Sequence, residues 1–96
     1  MMESHLWLLH GALGAADDWQ ALSRDFHAAG IETHPVNLWQ LPHRGGASWC
    51  DAAAAVNRHV ARVPGRHVLA GYSLGGRLAL HILRQQPSLW HAAALI

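Results

Sequence analysis

The segment Gly71-Tyr72-Ser73-Leu74-Gly75 constrains this chain more than any other, because a short apolar run precedes it and a helical pattern follows it. A strand that turns sharply into a helix puts the apical serine in a strained backbone conformation and lifts its hydroxyl clear of the sheet. Strand and helix then approach so closely that the positions two before and two after the serine must be small. Gly71 and Gly75 meet that demand, and Gly76 relaxes it further. With Gly and Ser each near 7% of positions, Gly-x-Ser-x-Gly occurs by chance in about three of a hundred chains of this length. The strand-before, helix-after context makes it several times rarer. A glycine-rich turn without chemistry is the competing reading.

The surrounding pattern fits such a turn. His5 to Leu9 is a short apolar run, expected as a fully buried strand, and His10 to Gly14 is the loop after it. Asp17 or Asp18 caps a helix whose face is Trp19, Leu22, Phe26 and Ala29, and Gly30 stops it. Ile31 to Leu38 is a second strand, made uneasy by Pro35. After a loop reaching Ala47, Ser48 caps a helix that aligns Trp49, Ala53, Val56, Val60 and Val63 and ends at Pro64-Gly65. His67 to Gly71 forms the third strand. The third helix presents Leu74, Leu78 and Ile82, with Ala79 and Leu83 beside them, and stops before Pro87. Ala92 to Ile96 begins a fourth strand. Strands separated by helices of this length mean right-handed crossovers and a mostly parallel sheet with helices on both faces, a three-layer α/β fold.

Composition narrows the function classes. Ninety-six residues allow one small domain, and 51% hydrophobic against 14% charged residues suits a buried core. A net charge of +1, with all seven basic residues arginines and scattered, gives no case for nucleic acid or an anionic membrane. No stretch is long enough to span a bilayer. The run from Leu6 to Ala16 lacks a preceding positive charge and is broken by His10, Gly11 and Gly14, so it does not read as a signal core. The single cysteine, Cys50, has no internal partner; it is expected to be small and buried and to fit a reducing cytoplasm. None of the nine histidines forms the H-x-x-x-H pair of a helical metal site.

His10-Gly11, at the end of the first strand, marks a loop that can donate one oxyanion-hole amide, the other coming from the residue after the nucleophile. Those donors are the backbone N–H groups of Ala12 and Leu74. Together the two segments resemble the α/β-hydrolase superfamily. Gly71 to Arg77, and Leu8 to Gly14 followed by Asp18-Trp19, are similar to the 2-succinyl-6-hydroxy-2,4-cyclohexadiene-1-carboxylate synthases of menaquinone biosynthesis. The resemblance implies that Ser73 is the triad serine and that the reaction eliminates pyruvate, and it implies no metal or organic cofactor. It also implies that Arg77 binds a substrate carboxylate and Tyr72 contacts substrate. Arg77 stands in the first turn of a helix, against the dipole, where a cation waits for an anion; a solvated arginine paired with an acid is the alternative. His10 shapes the loop in that superfamily and is not the base. His43 and Trp39 lie in the loop after the second strand and could line the site, but that loop, Asn37 to Gly46, departs from the superfamily's usual Asp-Leu-Pro-Gly-His-Gly.

The rest of a triad is missing from the sequence. The order Ser, acid, His places both partners after the serine, yet every aspartate precedes Ser73 and no glutamate follows it. His81 is eight residues into the helix, ~12 Å along its axis, and His91 falls at the opposite end of the sheet. The expectation is therefore an N-terminal part, residues 1–96, of one α/β-hydrolase domain, truncated after the elbow helix, from a cytoplasmic enzyme acting on a small carboxylate. A carboxylic-ester hydrolase of the same fold and a non-catalytic fragment that binds a ligand are the alternatives.

Overall fold

The computed structural model describes residues 3–11, 14–41 and 48–96. Four strands, β1 (Ser4–Leu9), β2 (Glu32–Val36), β3 (Arg66–Gly71) and β4 (Ala92–Leu95), alternate with α1 (Gln20–Ala28), α2 (Trp49–Ala61) and α3 (Leu74–Gln85). They form one parallel sheet in the order β2-β1-β3-β4. The unbroken apolar run of β1 is explained by its position: it is an inner strand, and His5 to Leu9 are all buried. Pro35 is accommodated because β2 is an edge strand, where one side of the ladder is open and a missing N–H costs little.

Strand order fixes the layers. The chain passes from β1 to β2 in one direction and from β2 over β1 to β3 in the other. Right-handed crossovers therefore send α1 to one face and α2 and α3 to the opposite face. On the second face Trp7, Leu9 and Leu69 meet Ala53, Val56 and Val60 of α2 and Leu78, Ala79 and Ile82 of α3, closed by Trp90. The polar groups in this core are satisfied. Asn57 donates to the Ile82 carbonyl (3.1 Å) and accepts from the Trp90 indole (3.0 Å). Trp7 donates to His67 Nδ1 (3.1 Å), and His67 Nε2 faces the Val63 carbonyl (2.8 Å), which fixes its tautomer.

Helix signals in the sequence act as expected at α2. The Ser48 hydroxyl accepts from the Asp51 N–H, and the Asp51 carboxylate accepts from the Ser48 N–H, a reciprocal cap. Three expectations need correction. The stripe assigned to the first helix is not a buried face: residues 16–19 form a 3-10 turn, and no residue of α1 is buried. Leu22 is exposed, because α1 rests on edge strand β2 and not over the sheet centre. Cys50 is exposed in the first turn of α2, and Trp49 beside it is likewise 40% exposed.

Candidate active site

Ser73 follows the end of β3 and has φ 53° and ψ −112°; it is the one non-glycine residue with positive φ among the described residues. A side chain held there costs of order 1–3 kcal/mol, so surrounding bonds must over-determine it. They do so on three sides. The Tyr72 N–H donates to the Leu9 carbonyl (3.1 Å), the Ser73 N–H to the Ile96 carbonyl (2.6 Å), and the Arg77 N–H to the Ser73 carbonyl (3.1 Å). Both neighbouring strands and the new helix thus hold the turn.

The flanking glycines are required by contact. A Cβ on Gly71 would lie 2.5 Å from the Gly75 carbonyl oxygen. One on Gly75 would collide with the Leu9 carbonyl oxygen and stand 2.7 Å from that of His10. At Gly76 the nearest atom would be 3.3 Å away, a tight but adjustable distance. α3 therefore starts directly against the end of β1, as the small-residue spacing predicts.

This meeting point lies between β1 and β3, where the strand order reverses and helices leave to opposite faces. Ligands of open α/β sheets bind at that crevice, beyond the carboxyl ends of the strands. The His10-Gly11 loop is there too: a Cβ on Gly11 would be 3.7 Å from Ser73 Cβ and 3.1 Å from the Tyr72 ring. His10 is 1% exposed; its Nδ1 donates to the Gly11 carbonyl (2.8 Å) and its Nε2 accepts from the Leu38 N–H (3.0 Å). Both ring nitrogens are occupied, so His10 fastens the loop and is not free to act as a base.

Of the remaining sequence-derived residues, Leu74 is half-buried at the first position of α3, where its N–H has no intrahelical acceptor. Ala12 and His43 lie outside the described residues. Tyr72 is 53% exposed beside Ser73. Arg77 is exposed one turn along α3, and among the described residues no acidic side chain pairs with it. Trp39 sits over His10 (ring centroids 5.7 Å) and its indole N–H donates to the Gly14 carbonyl (3.0 Å). That bond, which ties the loop after β2 to the loop after β1, has no signature in the sequence. His81 stacks on Trp49 (5.8 Å), and the His91 N–H donates to His67 at the start of β3 (2.7 Å), so neither faces Ser73.

No protein-family profile and no curated protein matches the sequence. Solved structures do. A pyrethroid hydrolase from Sphingobium faniae JZ-2 superposes with a TM-score of 0.77 at 24% identity, over 94% of this chain and 38% of that one. Polyneuridine aldehyde esterase gives 0.76 at 23% identity, over 95% and 38%. The peroxisomal α/β-hydrolase Lpx1 of Saccharomyces cerevisiae gives 0.73 at 24%, over 98% and 32%. The fold is that of the α/β-hydrolases. The chain spans less than two-fifths of the length of these structures. Among the described residues no helix is long and apolar enough to cross a membrane.

Proposed function

We propose that the chain carries the nucleophile-bearing part of a serine-dependent enzyme that hydrolyses a small carboxylic ester. The observation behind this reading is Ser73 itself: exposed, strained, and set at the start of α3 beside Gly11. Such a conformation is destabilising for a serine without a task. For a nucleophile it aims the hydroxyl outward and leaves the following amide free for an oxyanion. In the reaction Ser73 Oγ attacks the ester carbonyl carbon, and its proton passes through a base to the departing alkoxide. The oxyanion accepts from the N–H groups of Leu74 and Ala12. Water then cleaves the acyl-serine, releasing the acid and restoring the hydroxyl. The described histidines and acids do not face Ser73, so the base must come from outside the described residues. The names of the similar structures, a hydrolase and an esterase, support the ester class, and the single cysteine supports a reducing, cytoplasmic setting.

Arg77 favours a second reading, the pyruvate-eliminating synthase of menaquinone biosynthesis. There the triad abstracts a proton, Arg77 holds the substrate carboxylate and Tyr72 borders it. Hydrolysis of a neutral aryl ester, measured against turnover of the menaquinone intermediate in the full-length protein, separates the two. Ser73→Ala is expected to lower either activity by at least about a thousandfold with an unchanged circular dichroism spectrum; retained activity overturns both. Under the second reading Arg77→Ala raises KM for the carboxylate substrate and leaves the neutral ester unaffected. Turnover of neither substrate would favour a non-catalytic, ligand-binding role.

A further inference from the structure

The amino-terminal end of the sheet, opposite Ser73, carries a cluster of side chains that the proposed reaction does not use. On adjacent parallel strands His5 pairs in register with Glu32, and His34 stands two residues further along β2. One ligand atom from each of these three residues lies within 4.8 Å of the others. We propose that His5, Glu32 and His34 form a binding site for a divalent cation of the zinc type.

The hydrogen bonds around His5 leave one nitrogen available. Its Nε2 faces the Pro64 carbonyl (3.2 Å), an acceptor only, so the proton sits on Nε2 and the lone pair on Nδ1. A ligating imidazole commonly has its other N–H bound to a backbone carbonyl in this way. Nδ1 is 2.9 Å from His34 Nε2 and 3.6 Å from the Glu32 carboxylate. Ligands about 2.0–2.2 Å from a tetrahedral zinc ion stand roughly 3.3 Å from one another. The two separations from His5 bracket that value, and the third, between His34 and Glu32, is within 4.8 Å, so closing the site calls on the exposed Glu32 side chain to turn inward. His34 is held for the role by stacking on Trp7, with centroids 4.0 Å apart and planes within 15°.

In the metal-free arrangement His34 Nε2–H donates to His5 Nδ1. Binding moves the His34 proton to its Nδ1, leaving both imidazoles neutral and both ligating nitrogens bare, with no net proton lost from the pair. Glu32 carries the single negative charge, and its 61% exposed side chain leaves the cluster open to solvent on one side. Two imidazoles and one carboxylate suit zinc over magnesium or calcium, which require oxygen ligands. A water completes the fourth position. The site is independent of the chemistry assigned to Ser73.

Zinc chloride titrated calorimetrically into the purified protein in a Cys50→Ala background, which removes the exposed thiol, tests this. One ion per chain should bind and raise the thermal midpoint, while magnesium chloride does neither. Glu32→Gln and His34→Gln should each weaken zinc binding at least about tenfold and abolish the midpoint shift. Absence of saturable one-to-one binding, or binding unchanged in Glu32→Gln, overturns the proposal. Glu32 is exposed, so that variant decides the matter even if His34→Gln folds poorly.

Discussion

At the scale of single residues, the glycines of the turn are not equivalent, although the sequence presents Gly71, Gly75 and Gly76 alike. Gly75 lies against the carbonyls of Leu9 and His10, backbone atoms of an inner strand that cannot yield. Gly76 meets one carbonyl at 3.3 Å and occupies a helical position where alanine is intrinsically better by about 1 kcal/mol. Gly75→Ala should therefore destabilise the protein by roughly 1–3 kcal/mol or more, and Gly76→Ala should be near neutral, as read from urea midpoints. Equal effects would show that the close approach of β1 and α3 does not govern the turn. His34 is the other residue whose surroundings matter. Burial lowers its pKa from the ordinary 6.5, outweighing the opposing pull of Glu32, while His5, His59 and His67 act in the same direction as burial. A histidine held neutral in the folded state leaves stability untouched above about pH 6.5. As pH falls below that, the unfolded chain takes up a proton that the folded chain resists, and stability drops until the folded pKa is reached. The loss of urea resistance as pH falls below about 6.5 should shrink in His34→Gln.

At the scale of elements, helix boundaries were legible where a side chain makes the boundary and less so elsewhere. Ser48 marks the start of α2 in the sequence, and in the structure Asp51 completes the cap from within the same four residues. Ser48→Ala should cost about 1 kcal/mol, seen as a lowered thermal midpoint. α3 presents Leu78, Ala79 and Ile82 to the core as its periodicity predicts. Trp19, Leu22 and Phe26 have comparable periodicity, but Trp19 ends the 3-10 turn and no residue of α1 is buried. Periodicity shows which face of a helix is apolar, not how much of the sheet lies beneath it. The difference arises from strand order, which places α1 over an edge.

At the scale of the whole molecule, the sheet is protected unevenly. β4 is an edge strand with Ala92 to Leu95 exposed and without charge or proline, and Ile96 beyond it is 78% exposed. Val68 and Ala70 on the inner strand beside it are only half-buried. An apolar edge of this kind recruits other strands. Expressed as these 96 residues alone, the chain should associate increasingly as concentration rises through the micromolar range, detectable by light scattering. Ala94→Lys should suppress the association. A soluble monomer with a sharp cooperative melt would contradict this.

The sequence by itself determined the alternation of strands and helices, the turn at Ser73 and the loop at His10-Gly11, because each rests on local chemistry: periodicity, caps, and glycines at fixed offsets. Tertiary structure alone decided that these two segments meet, since β1 and β3 become neighbours only through a crossover more than fifty residues long. The same holds for the bond from Trp39 to Gly14, the seat of His10, and the grouping of His5 with His34 across twenty-nine residues. The turn at Ser73 could be recognised from five consecutive residues, but the crevice it serves exists only where the strand order reverses.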